Sequence, residues 1–183
     1  MIYYKTNLDW TQQFVDNNID IIEENYKRFP TRNRWNCNVH AIHDNDEDVP
    51  GIDFMYLRRE YEKLAPEVAK FFDIKEYHLS DLWYNYYKEG QYQEPHMHDG
   101  EGGVTAVHYL LFDPKEHSKT EFTDGDKSPE IKQGDILFFD CYKEHYVPQN
   151  NSTKPRLTVA FTITKVKTLS EMLREGFEEE QND

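Results

Sequence analysis

"RLTVAFTIT" (Arg156–Thr164) alternates along its length between two kinds of side chain. On a strand, successive side chains point to opposite faces. Leu157, Val159, Phe161 and Ile163 then form one apolar face, which suits a sheet surface covered by helices. Arg156, Thr158, Ala160 and Thr162 form the other, small and polar except for one guanidinium, which suits the wall of a ligand cavity. "VTAVHYLLF" (104–112) divides in the same way, with Thr105, Val107 and Tyr109 on one face and His108 on the other.

Similar short runs fill the region from about residue 75 to 165. "YHLSDLWYNYY" (77–87), "QYQEPHMH" (91–98), "TEFTD" (120–124), "DILFFD" (135–140) and "EHYVP" (144–148) read as further strands. Turn residues such as "DGEGG" and "TDGD" separate them. Two segments before residue 75 carry helical spacing instead. Trp10–Arg28 places Trp10, Phe14, Ile19, Ile22 and Tyr26 along one side, and Met55–Phe72 does so with Tyr56, Leu57, Tyr61, Leu64, Val68 and Phe72. Residues 30–54 between them read as irregular. A last helix is expected over about 168–180, with a capping-box spacing from Thr168 to Glu171, followed by an acidic tail. Seven or more short strands after two helices argue for a β-sandwich or barrel with helices packed outside it, in one domain spanning 1–183.

The composition narrows the function. The formal charge of −14 disfavours partners that present phosphate backbones or anionic lipid, so nucleic acid and membrane are expected to be absent as partners. "DNDED" (44–48) lacks the glycine and terminal glutamate of a calcium loop and reads as a solvated loop. Cys37 and Cys141 form no C-x-x-C pair. The N-terminus has no signal-peptide pattern and no stretch reaches about 18 apolar residues, so a cytoplasmic location is expected. Aromatics make up 15% of the chain and carry much of its burial.

Three features follow one another within the strand region: His96-x-His98, a lone His145, and Arg156 with Thr158 two residues on. Histidines at i and i+2 on a strand face one point, and imidazole suits iron, zinc, copper or nickel. Arg156 lies on the polar face of its strand, where a buried guanidinium needs an anion, and no acidic strand neighbour is evident. A bound carboxylate ligand would serve. His40, His43, His78, His108 and His117 read as ordinary core or surface histidines.

These stretches resemble the iron(II)- and 2-oxoglutarate-dependent oxygenases, in particular the prolyl-hydroxylase-like branch. "GQYQEPHMH" resembles that branch's Gly-x-Tyr-x-x-His-x-Asp strand, "AVHYLLF" its next strand, and "GDILFFD…H" its Gly-Asp-apolar-His segment. His145 with Arg156 and Thr158 resembles its distal histidine, arginine and hydroxyl. The match spans about 80–165. It implies a mainly β fold, a double-stranded β-helix (jelly roll) with flanking N- and C-terminal helices. It also implies Fe(II) on His96, His98 and His145, and 2-oxoglutarate on Arg156 with Thr158, Tyr109 and Tyr86. Molecular oxygen would be the second cosubstrate. The substrate would be a small molecule or a peptide, hydroxylated at a C–H bond with release of succinate and carbon dioxide.

His98 departs from the pattern, because the family has Asp or Glu there. Three readings fit. His98 is a third imidazole ligand, as in members from marine bacteria and phages that this chain resembles; for a phage-encoded chain the location becomes the host cytoplasm. Or Asp99 or Glu101 swings in. Or the site holds zinc, or nothing. The cupins, which share the β-helix, resemble Gly90–His98 and Gly134–His145 in spacing, but lack a use for Arg156. A three-histidine cupin dioxygenase or isomerase, and a non-catalytic metal- or ligand-binding barrel, are the rival functions. Trp35, Trp83 and Tyr87 suit either a site entrance or core packing.

Overall fold

The computed structural model describes residues 2–29, 37–46, 48–98 and 102–166. In chain order the elements are β1 (Tyr3–Asn7), α1 (Thr11–Arg28), β2 (His40–His43), α2 (Phe54–Phe71), β3 (Tyr77–Tyr87) and β4 (Gln93–His96). They continue with β5 (Gly103–Leu111), β6 (Glu121–Phe122), β7 (Asp135–Asp140), β8 (His145–Val147) and β9 (Arg156–Lys165). Two antiparallel sheets result, one ordered β1-β7-β5-β9-β3-β2 and a smaller one ordered β4-β8-β6. This is a mainly β architecture of two antiparallel sheets with two helices. The final helix expected over 168–180 lies outside the described residues.

The two faces of β9 do what its alternation predicts. Leu157, Val159, Phe161 and Ile163 are fully buried in the main core together with Phe14 and Ile22 of α1 and Leu57, Tyr61 and Val68 of α2. Both helices are amphipathic with an 18-residue span, and they shield that face from water. Asp53 caps α2, its carboxylate accepting from the Tyr56 N–H at 2.8 Å. The other face of the large sheet is left for a cavity, closed over by the small sheet. At the start of β5, Gly103 has φ of 130°, and a Cβ there would meet the Ile163 carbonyl oxygen at 2.2 Å. Only glycine lets β5 run that close to β9.

His108, on the helix-facing side of β5, ties both helices to the sheet. Thr11 Oγ1 lies 2.9 Å from its Nε2 and the Tyr61 hydroxyl 2.9 Å from its Nδ1. The Thr11 hydroxyl already donates to the Leu8 carbonyl at 2.7 Å. So Nε2–H donates to Thr11, and Nδ1 accepts from Tyr61. A doubly protonated ring would reverse the Tyr61 bond and leave the Tyr61 hydroxyl proton without His108 as its acceptor in a fully buried site. Burial holds the His108 pKa down to about 3. The unfolded chain, with an ordinary histidine pKa of about 6.5, therefore binds more protons than the native chain between the two values. Stability falls as the pH drops below about 6.5 and the loss levels off below about 3. From pH 7 to pH 5 this one group should cost about 2 kcal/mol. Guanidinium unfolding of His108→Gln at the two pH values should show a gap smaller by about that amount; an unchanged gap would show that His108 is already charged.

Candidate metal centre

His96 ends β4 and His145 begins β8, and the two are register partners across the small sheet. Their ring centroids lie 4.3 Å apart. Beyond β4 the chain leaves its ladder, but the His98 N–H donates to the Cys141 carbonyl at 2.9 Å, which holds the next residues against the end of β7. His98 thereby joins the pair at ring distances of 5.3 and 5.4 Å. One ligand nitrogen from each of His96, His98 and His145 lies within 4.8 Å of the others.

The tautomers of two rings follow from their neighbours. His96 Nδ1 lies 2.8 Å from the Glu94 carbonyl and His145 Nδ1 lies 2.9 Å from the Lys143 carbonyl. A carbonyl only accepts, so each Nδ1 carries the proton and each Nε2 keeps its lone pair for a cation. Burial lowers the His96 pKa. It holds the His145 pKa well below the ordinary value, with the His96 and His98 rings adding to the effect. Protons are thus kept off these two rings. The rivals for a ligand role do not converge here. His40 lies at the Phe29 carbonyl, at 3.2 Å. His117 accepts from the Asp113 N–H at 3.0 Å, and His108 is bound as above. Asp99 and Glu101 lie outside the described residues. Burial, first of all, raises the Cys37 and Cys141 thiols to about 12 and about 11, so neither is a thiolate at neutral pH.

The triad forms one wall of a cavity of about 200 Å³. The opposite wall is the inner face of the large sheet, and its register sets four successive rungs. Tyr87 faces Arg156; Asn85 faces Thr158 and then Tyr109; Trp83 faces Ala160 and then Val107; Ser80 faces Thr162 and then Thr105. Arg156 closes one end. It is 1% exposed, and its Nε and both Nη atoms are buried with no hydrogen-bond partner among the described residues. Its guanidinium carbon sits 4.6 Å from the Tyr87 ring centroid and 5.5 Å from that of Tyr109. These cation–π contacts orient the side chain but use none of its N–H donors. Burial pushes Tyr87 up to about 12, opposed by the Arg156 charge and by the approach of the Tyr87 hydroxyl to the guanidinium, which falls outside hydrogen-bond geometry.

Two of the expected cosubstrate residues are placed differently. Tyr86 pairs with Leu157 and shares its helix-facing side, where its hydroxyl donates to Glu23 at 3.1 Å. The residue on the cavity face is Tyr87. Tyr109 does stand beside Arg156, but its hydroxyl proton goes to Thr120 Oγ1 at 2.9 Å, and its oxygen accepts from the Thr120 N–H at 3.2 Å. It packs against the guanidinium instead of offering a donor. Thr158 lines the cavity as expected, and so do Trp83 and Tyr87. Trp35 lies outside the described residues. Asn85, Thr105, His43 and Asp81 also line the cavity. The parity of β3 from Trp83 would have found Asn85, and that of β5 puts Thr105 on the face of Tyr109; His43 and Asp81 carry no local signal.

No family profile matches the sequence, and no curated protein sequence matches it. Solved structures do match the fold. The viral collagen prolyl hydroxylase of Paramecium bursaria chlorella virus 1, in its 2-oxoglutarate complex, aligns at a TM-score of 0.66 and 18% identity. The alignment covers 91% of this chain and 97% of that one. A prolyl-4-hydroxylase from Pseudomonas putida aligns at 0.65 and 12%, over 90% and 93%. The non-haem epimerase SnoN of nogalamycin biosynthesis, solved with Fe3+, α-ketoglutarate and nogalamycin RO, aligns at 0.65 and 15%, over 89% and 78%. The chain shares their fold.

Proposed function

We propose that this chain is a single-domain iron(II)- and 2-oxoglutarate-dependent oxygenase on a double-stranded β-helix, hydroxylating a C–H bond of its substrate. The observation that carries this reading is Arg156. A guanidinium with all three nitrogens buried and without a hydrogen-bond partner among the described residues, at one end of a cavity walled by three histidines, suits a carboxylate. A cupin-type dioxygenase has no need of that group. The structural neighbours that contain 2-oxoglutarate or iron with α-ketoglutarate support the same choice.

The residues fit both ligands. Two imidazoles have Nδ1 fixed by a carbonyl, which puts the lone pair on Nε2, and the third lies within the same 4.8 Å. Nitrogen donors of this kind suit Fe(II). Iron and 2-oxoglutarate, when bound, supply the oxidative chemistry, in which O2 converts the cosubstrate to succinate and carbon dioxide and one oxygen atom enters the substrate. The chain supplies position and a dry surround. Arg156 binds the distal carboxylate through its planar fork, held over the rings of Tyr87 and Tyr109. Thr158, opposite Asn85 on the next rung, donates its hydroxyl proton to the same ligand. Val107, Val147 and Ala160 keep the middle of the cavity apolar.

Anaerobic addition of Fe(II) and 2-oxoglutarate should give a visible charge-transfer absorption, and aerobic incubation should release succinate. Turnover of a substrate without 2-oxoglutarate would favour the cupin reading. Zinc on purification with no succinate would favour a binding barrel.

A further inference from the structure

The cavity has a second charged end. Asp81 is the single carboxylate among its described lining residues, and it stands exposed at the mouth, away from the buried Arg156. A fault in the ladder puts it there. Ser80 pairs with Thr162 and Leu82 with Phe161, so Asp81 is the extra residue of a bulge in β3, with φ of 36°. Aspartate tolerates this left-handed region better than most residues. The bulge turns Ser80 and Asp81 to the cavity side, while Leu79 and Leu82 keep the helix-covered side.

No described residue pairs with the Asp81 carboxylate. Arg58 reaches this edge of the sheet through the Leu79 carbonyl at 3.0 Å, but its charge is taken by Asp44 at 2.5 Å. Asp44 and Asp46 belong to the acidic run that follows β2. Asp44 N–H bonds the Leu82 carbonyl at 2.8 Å, and Asp46 accepts from the His43 N–H at 2.9 Å. Asp44 and Asp46 therefore lie beside the bulge, with the Asp44 charge offset by Arg58.

Thr105 is an independent sign of a ligand. It is fully buried, lines the same cavity, and its Oγ1 has no partner among the described residues. It stands on the rung that Thr162 shares with Ser80. 2-Oxoglutarate has two carboxylates and a ketone at neutral pH, so it has no proton to give and is repelled by Asp81. The mouth needs a cationic donor. An ammonium group offers three N–H donors and no acceptor, which matches a carboxylate and a hydroxyl oxygen. The Trp83 ring, stacked with His43 at 5.5 Å, supplies an aromatic wall beside it.

We propose that the substrate of this site carries a protonated amine, which docks on Asp81 and Thr105 and lays its adjoining carbon chain across the three histidines. The oxidation of that chain rests on the oxygenase reading; the docking does not. A free alkylamine and a lysyl side chain share this chemistry, and the probes separate them.

The full-length, metal-free protein is titrated by NMR with pentylammonium, with N-acetyl-lysine methylamide, and with the neutral N-acetyl-norleucine methylamide. At least one ammonium probe should bind about tenfold tighter than the neutral one. The lysine diamide as the tighter cation marks a peptidyl substrate, and pentylammonium marks a free amine. Asp81→Asn, which keeps the left-handed tolerance, should reduce the preference to less than about twofold, and Asp81→Glu should restore part of it. Equal binding of charged and neutral probes, or a preference that survives in Asp81→Asn, overturns the proposal. The charge-transfer absorption is recorded separately on the wild-type protein with Fe(II) and 2-oxoglutarate. Its absence with the ammonium preference intact would refute the oxygenase reading and leave the docking assignment standing.

Discussion

Arg156→Met is expected to raise the thermal stability of the ligand-free protein while removing its response to 2-oxoglutarate. The two effects have one cause. The guanidinium sits 1% exposed with Nε and both Nη atoms unpartnered among the described residues, and the two tyrosine rings beside it do not replace lost hydrogen bonds to water. An uncompensated buried charge costs several kcal/mol, and exchange for an apolar side chain of similar volume commonly stabilises by about 1–4 kcal/mol. With a carboxylate bound, the balance reverses. Truncating one partner of a buried charged pair costs about 2–5 kcal/mol, so affinity for 2-oxoglutarate should fall by about 30-fold or more. Scanning calorimetry with and without 2-oxoglutarate reads both effects. At about 100 times its dissociation constant the ligand should stabilise the wild type by about 2.7 kcal/mol and the variant hardly at all. Arg156→Lys should keep the charge and lose the fork, and fall between the two. A variant that is less stable than wild type yet still stabilised by 2-oxoglutarate would show that Arg156 is satisfied within the chain and that the carboxylate binds elsewhere.

The same residue shows what could be read before the fold was known. β9 was legible because its two faces meet different surroundings, helices on one side and the cavity on the other, so the alternation is strong. α1 and α2 were legible to within a residue or so, because each presents one apolar stripe to the sheet. β1 and β2 were not. β1 is a five-residue edge strand of mostly polar character, and β2 has four residues, so both owe their conformation to pairing with β7 and β3. The three histidines were found from spacing and order along the chain. Tyr86 was misplaced because "YNYY" gives no phase: Tyr84, Tyr86 and Tyr87 are all buried, and only the pairing of Tyr87 with Arg156 shows which one faces the cavity. Asp81 had no signal at all, since a bulge reverses the parity by which a strand is read.

The largest loss of metal is expected from His145→Ala, followed by His96→Ala, with His98→Ala milder. The order follows from preorganisation. His145 is 4% exposed, its Nδ1–H is fixed on the Lys143 carbonyl, and its pKa is held well below the ordinary value, so its Nε2 is aimed and unprotonated before any ion arrives. His96 has the matching bond to the Glu94 carbonyl with more exposure. His98 stands outside the ladder, anchored by its own backbone N–H and by ring contact with Trp83 at 5.5 Å. Loss of an outer-shell partner alone typically costs about 10–100-fold in metal affinity, so removing His145 itself should exceed that range. Competition against a chelator with Co(II) or Fe(II) gives the constants directly. His98→Asp tests the substitution that sets this chain apart. A carboxylate adds one negative charge to a site of neutral imidazoles, so affinity for a divalent ion should rise. If His98 is a ligand by position, His98→Asp should also retain the 2-oxoglutarate charge-transfer absorption, shifted in energy because the ligand charge has changed. If instead His98→Ala and His98→Asp bind metal as tightly as the wild type, the third histidine is a neighbour of the ion and its anionic partner lies elsewhere in the chain.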